Sequence, residues 1–308
     1  FIDYYRKLPL QPQRQFWQDN LEGVLPCLLQ EIDFTTDREE DGSSRKLSFA
    51  LDPSLINDVK RLAGESTATM SSVLFSAWAK ILQVYTDQDD IVFGTTLSIR
   101  DERVIDIDNS VGLYMNTVPV RLKSEDCTTV LQVIMAMNDA IQDMQKNALL
   151  PLDEIVKTKT APGEPLFNTL FVVENYPVET SIKEGDSLRI ADIVYQEQNN
   201  FDLSVIVQCG SLLQVTILYR SILFSNKYIE CLAAAYQHIL EAFCVDPDQQ
   251  LHSMGILSSR DSQAILRQGI GKTVPIPRRT VDDIFFTRAA EMPEAIALYD
   301  AGGSMRYG

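Results

Sequence analysis

Apolar positions along the chain change their spacing several times, and each change predicts an element. From Arg14 to Leu21 they are sparse but helical in spacing, and Gly23 with Pro26 closes the segment. The polar run Glu39 to Ser44 predicts an exposed loop. Asp52-Pro53 predicts a helix entry, because Asp caps the first free N–H groups and Pro at the first helical position forfeits no bond; this helix ends near Gly64. Between Met70 and Tyr85, residues such as Val73, Ala77, Ile81 and Tyr85 form a helical stripe, which implies burial against a sheet. Ile91 to Leu97 and Val118 to Leu122 read as strands on either side of an acidic, turn-forming loop from Arg100 to Asn109. A strongly amphipathic helix follows, with Val130, Ile134, Met137 and Ile141 on one face.

Four further strands are predicted at Leu166 to Val173, Leu188 to Tyr195, Phe201 to Cys209 and Leu212 to Tyr219, then a helix from Lys227 to Phe243. Helices, clustered strands and a closing helix predict an α/β layered domain over 1–245. Asp246-Pro247 begins a polar exit, and 246–279 reads as a linker containing a short helix from Ser258 to Gln268. A fresh unit spans 280–308: Thr280 caps a helix from Val281 to Ala290, Ala295 to Tyr299 is a strand, and Ala301-Gly302-Gly303 is a turn.

Composition narrows the function classes. With 308 residues, 45% hydrophobic and 23% charged, the chain is an ordinary globular protein with room for about two domains. Its formal charge of −16 repels phosphate backbones and anionic lipid, so neither nucleic acid nor a membrane is an expected partner. No apolar run approaches the roughly 18 residues of a membrane span. Five scattered cysteines without a Cys-x-x-Cys pair fit reduced thiols and a cytoplasmic location. The start at Phe1 without Met and the stop at Gly308 within a strand pattern predict a fragment of a longer polypeptide.

Chemistry-bearing groups are few. Gly269-Ile270-Gly271-Lys272-Thr273 fails as a phosphate loop, because Leu266 stands where the first glycine is needed and Pro275 blocks the following helix. Cys231 and His238 share a face of one predicted helix, but Cys231 reads as a small hydrophobe on its apolar stripe and His238 as a flank residue. His252 lies in the polar exit, so neither of the two histidines is a general-base candidate. Asp101, Glu102, Asp106 and Asp108 lack a cation-loop spacing and read as a solvated loop, and no metal site is expected. What stands out is Gly, Asn, Thr and Pro inside the otherwise apolar run Val111 to Arg121, and Asn168 and Asn175 bracketing a buried strand between Pro165 and Pro177. The first pattern implies close approach to a backbone or ligand, and the buried amides require partners that a narrow channel can supply.

At these residues the chain resembles the condensation domains of nonribosomal peptide synthetases. The resemblance runs in order through Phe1 to Leu21, Phe93-Gly94-Thr95 with Arg100, Val111 to Thr117, Leu149 to Asp153, Pro165 to Pro177 and Phe201-Asp202-Leu203; Thr280 to Gly308 resembles the opening of an adenylation domain. It implies a chloramphenicol-acetyltransferase-like two-layer α/β sandwich, here the C-terminal lobe of a condensation domain. The implied activity is amide formation between an upstream peptidyl or aminoacyl thioester and the amine of a downstream aminoacyl thioester. Both would ride on 4′-phosphopantetheine arms of partner carrier domains, with no cofactor bound directly and an adenylation domain adjacent in the same polypeptide. The family's His-His-x-x-x-Asp-Gly motif is absent, so the catalytic histidine is expected upstream of Phe1 and the chain alone is expected to be inactive. By resemblance, Gly112, Asn116, Thr117, Asn168, Asn175 and Asp202 line or support the substrate tunnel, and Arg100 is structural. Asn116→Ala is accordingly expected to slow condensation more than it lowers the melting temperature. The alternatives are a noncatalytic platform that orients carrier and adenylation domains, or a heterocyclization-type variant.

Overall fold

The computed structural model describes residues 2–31, 43–101, 103–125, 127–157, 164–174, 200–209, 213–271, 278–300 and 302–308. Asn175, the strand expected at 188–195 and most of the expected loop at 39–44 lie outside them, as do residues 272–277. Residues up to Ser258 form one compact unit and Ser259–Gly308 a second.

In the first unit the order is α1 (Ile2–Tyr5), α2 (Gln11–Asn20), β1 (Ser44–Ala50), α3 (Pro53–Glu65), α4 (Met70–Thr86), β2 (Asp90–Ser98), β3 (Met115–Lys123), α5 (Val130–Lys146), α6 (Leu152–Val156), β4 (Thr169–Glu174), β5 (Leu203–Cys209), β6 (Leu213–Arg220) and α7 (Asn226–Val245). The six strands make one mixed sheet in the order β1-β6-β5-β4-β2-β3. β4 runs parallel to both neighbours, and the other pairs are antiparallel.

Local sequence explains the helix starts. The Asp52 carboxylate accepts from Ser54 N at 2.8 Å, and Thr69 Oγ1 accepts from Ser72 N at 3.1 Å. Thr129 and Gln132 form a reciprocal capping box on α5. The α7 cap, Ser225, is itself held by buried Glu31, whose carboxylate accepts from Ser225 N at 2.6 Å and from its hydroxyl at 2.7 Å.

Helices α3, α4, α5 and α7 cover one face of the sheet. Phe171 sits at the centre of that interface, with its ring 5.2 Å from Phe75, 5.8 Å from Trp78 and 5.8 Å from Tyr236. T-shaped and tilted pairs of this kind are favourable beyond their burial.

Part of the opposite, outer face is covered by residues 20–31 and 164–168. Cys27 bridges to Phe167, and Leu21, Val24, Cys27 and Leu29 are buried. Arg121 ties this segment to the sheet: it pairs with Asp90 through Nε at 2.8 Å and donates to the Glu22 carbonyl at 2.9 Å and to that of Asn20.

Three expectations change. β1 is not among the strands expected from sequence; it is an edge strand whose Arg45, Leu47 and Phe49 alternate with exposed Lys46 and Ser48. The packing continues past the exit expected at 246, since Leu131 N donates to Pro247 O and Leu251 N to Thr128 O, both at 2.9 Å, and Leu251 and Met254 are buried. Cys231 is exposed, because the buried stripe of α7 runs through Ile229, Leu232, Ala233 and Tyr236 and leaves it on the solvent side.

The second unit contains α8 (Ser259–Gly269), α9 (Val281–Glu291) and an antiparallel hairpin of β7 (Ile296–Asp300) and β8 (Gly303–Arg306). Thr280 Oγ1 caps α9 by accepting from Asp283 N at 3.4 Å, and Phe285 packs on Tyr307 with ring centres 5.3 Å apart.

Candidate functional site

Side chains alternate across a strand, so pairing register assigns each residue to one sheet face. Phe93 and Phe171 face the helices; Gly94, Thr96, Leu170, Val172 and Glu174 therefore face outward. The pairs Ser48 with Thr216, Thr216 with Ile206, Ile206 with Val172, and Thr96 with Thr117 form one outer row. The parallel pairing of Gly94 with Leu170 sets Thr96 beside Val172 and closes that row across six strands. The next row holds Ala50, Gln214, Gln208, Glu174, Ser98 and Met115.

These two rows lie beyond the part of the face that the described segments cover. Val172, Ile206, Thr216, Thr96, Thr117 and Glu174 are half-buried, while Ser48, Gln208 and Met115 are exposed. Hydroxyl pairs flank an aliphatic centre, with Ser48 Oγ 3.0 Å from Thr216 Oγ1 and Thr96 Oγ1 3.4 Å from Thr117 Oγ1. Gln208 Nε2 donates to Glu174 Oε2 at 3.1 Å. Such a wall offers hydrogen bonds and apolar contact to an extended chain bearing amides and methyl groups.

The residues singled out from sequence divide between locations. Thr117 lies in the open outer row. Asn116, its neighbour, points to the helix face, where Nδ2 donates to the carbonyls of Ala148 and Leu150, each at 2.7 Å. The same turn is gripped from α2: Trp17 Nε1 donates to Asn147 O at 2.9 Å, and Leu149 N donates to Gln13 Oε1 at 3.2 Å.

Asn168 sits at the covered end of the outer face. Its Oδ1 accepts from Leu29 N and its Nδ2 donates to Leu29 O, both at 2.9 Å, with a further bond to Asp202 Oδ2 at 3.1 Å. The protein, not a channel, supplies this buried amide's partners. Asp202 also pairs with Arg220 at 3.3 Å.

Gly112 is in the exposed loop before β3, where an added Cβ meets the Tyr114 ring at 3.1 Å. Arg100 organises that loop: it donates to Ser110 O at 3.0 Å and to Ile107 O, and lies 4.5 Å from the Tyr114 ring centre. Asp101 accepts from Tyr4 Oη at 2.7 Å, and Arg103 beside it holds its carboxyl well below the usual carboxylate range.

Glu174, Val172, Ile206 and Thr216 are not among the residues that sequence reasoning selects. The available signal is the period of two running from Leu170 through Val172 to Glu174. No group of three His, Cys, Asp or Glu side chains suited to a metal occurs among the described residues. His238 is on α7 and His252 in a short turn after it, so neither belongs to the sheet.

Asn116→Ala removes the donor for two carbonyls at once. Unfolding in denaturant is expected to register a loss of about 1–3 kcal/mol. A loss below about 0.5 kcal/mol, the range of neutral surface changes, contradicts the clamp.

The family model described as "Condensation domain" matches residues 3–266. A linear gramicidin synthase of Brevibacillus parabrevis is 26% identical over 97% of this chain, and a mycosubtilin synthase of Bacillus subtilis is 28% identical over 97%. The chain spans 6% and 12%, respectively, of those two relatives' lengths. Among solved structures, a four-domain nonribosomal peptide synthetase bound to AMP and glycine superposes with TM-score 0.79 at 15% identity, covering 98% of this chain and 24% of that one. The condensation domain of the monacolin K polyketide synthase MokA gives 0.66 at 16% identity, covering 79% and 59%.

Proposed function

This chain belongs to the condensation-domain family, and from that premise we propose that it supplies one wall of the substrate passage in a peptide-forming condensation domain. The observation that carries the reading is the open half of the outer sheet face, where hydroxyls border an aliphatic strip beside the start of β3. Two 4′-phosphopantetheine arms on carrier domains would present their thioesters there. The amine nitrogen of the downstream aminoacyl group attacks the upstream thioester carbonyl. The N–C bond forms, the C–S bond breaks, and the departing thiolate takes up the proton that the amine gives up. The proton is relayed by a histidine that the family resemblance puts upstream of Phe1.

Most of the rate then comes from holding two tethered reactants in line, for which effective molarities reach about 10⁵–10⁸ M. Thr117 lines the passage in this reading. Gly112 and the Arg100-stapled loop shape its rim, while Asn116, Asn168 and Asp202 support it from behind. Asn175 is proposed beside it on sequence grounds alone. Residues 280–308 are proposed as the start of an adenylation domain, reached through a linker whose first part packs on the sheet unit. The longer alignment with the four-domain synthetase supports this. No helix among the described residues is long and apolar enough to cross a membrane, and a cytoplasmic synthetase is the proposed setting.

The test uses the whole polypeptide encoded by the reading frame, supplied with two carrier domains carrying different aminoacyl groups. Mass spectrometry is expected to find dipeptidyl thioester on the downstream carrier. A folded polypeptide that binds both carriers and forms no product identifies a noncatalytic platform instead.

A further inference from the structure

On the two open rows of the outer face, one side chain among the described residues carries a charge: Glu174, at the end of central strand β4. Its row-mates are Ala50, Gln214, Gln208, Ser98 and Met115, and the adjoining row from Ser48 to Thr117 is uncharged. Its described hydrogen-bond partner is the neutral Gln208 amide at 3.1 Å. Half-withdrawn from water, a carboxylate bonded to an amide keeps most of its charge available for a cation. The Arg103, Arg121 and Arg220 guanidiniums are already engaged with Asp101, Asp90 and Asp202.

Where the donor is a peptidyl thioester, the two substrates of the proposed reaction differ in charge. A free α-amino group titrates near 7.7–8.0 in model compounds, so an aminoacyl thioester arrives largely as an ammonium at neutral pH. A peptidyl donor has its α-nitrogen acylated and carries no such charge. We propose that Glu174 receives the ammonium of the downstream aminoacyl thioester and aims its nitrogen along the sheet face before the proton is lost. This rests on the reading above. The carboxylate separates acceptor from donor by charge, and Gln208 fixes its rotamer.

The test is Glu174→Gln, which keeps size and the capacity to bond Gln208 but removes the charge. It is measured in the whole polypeptide with aminoacyl-pantetheine as acceptor and a carrier loaded with an N-acylated, peptidyl group as donor. The acceptor KM is expected to rise about tenfold, the factor that ~1.4 kcal/mol makes in an equilibrium constant, with the donor KM unchanged. The 2-hydroxyacyl-pantetheine isostere, neutral at the same position, is expected to inhibit wild type and variant equally. Equal acceptor KM values, or an equal loss of affinity for amine and hydroxyl forms, overturn the proposal. Should the variant be less stable, the amine-to-hydroxyl ratio still decides, because lost folded protein lowers the maximal rate and leaves KM and the inhibition constant unchanged. A wild type that makes no amide defeats the reading on which this rests and is recognised before any variant is compared.

Discussion

Arg121→Ala is expected to destabilise the protein by about 3 kcal/mol, the low end of the usual cost of removing one partner of a buried ion pair, since the Asp90 side chain it leaves behind is 26% exposed. The side chain is 5% exposed and spends its fork on two tasks. It grips the Asp90 carboxylate on the neighbouring strand and donates to the carbonyls of Asn20 and Glu22. Those carbonyls lie at the C-terminal end of α2, where the helix leaves its last acceptors without backbone donors.

Alanine therefore strands a carboxylate and two carbonyls together. Arg121→Lys keeps the charge but presents a single compact ammonium, and is expected to recover less than half the loss. Chemical denaturation with an Asp90→Asn, Arg121→Met double-mutant cycle checks the argument. A cost under about 1 kcal/mol for Arg121→Ala, the range of exposed pairs, refutes it.

Gly94→Ala is expected to cost about 3 kcal/mol, the upper part of the overpacking range, although alanine is ordinarily the better residue within a strand. An added Cβ lies 2.5 Å from Phe167 Cε2 and 3.0 Å from Leu170 Cδ1. Phe167 cannot yield easily: it is buried, stacks on Phe201 with ring centres 5.8 Å apart, and its backbone bridges to Cys27.

The glycine thus lets the covering segment lie flat on the sheet. Adding Phe167→Leu is expected to restore part of the loss, so that the double variant is more stable than the two single costs added together predict. Strict additivity in thermal unfolding shows that Gly94 and Phe167 do not compete for the same space.

The helices were legible because their signals are local: caps at Asp52 and Thr280, and stripes of period near 3.6 in α4 and α5. β2 to β6 were visible as apolar runs, but their spatial order was not, since nothing near residues 44–50 announces a partner at 213–220. β1 itself was missed because its alternation is diluted by Arg45 and Lys46 on an edge strand. Cys231 was assigned to the wrong side of α7 because one helical step moves a residue about 100° around the axis.

At the candidate site, sequence marked Asn116 and Thr117 as one polar interruption, yet adjacent strand residues must point to opposite faces. One became a clamp on a turn, and the other part of the open wall. Asn168 was recognised as a buried amide, but its partner Leu29 lies 139 residues away, beyond the reach of any local pattern. Glu174 stood in plain view within the segment, and only the register of β4 against β5 gave it neighbours.

The pairing of β1 with β6 also sets a timetable for synthesis. Ser48 and Thr216 are separated by 168 residues. At roughly 5–20 residues per second, translation would leave β1 waiting on the order of ten to thirty seconds for the strand that completes it. During that interval its apolar positions, Leu47 and Phe49, have no sheet to join. The flanking Arg45 and Lys46 then act as guards against the pairing of one nascent chain with another.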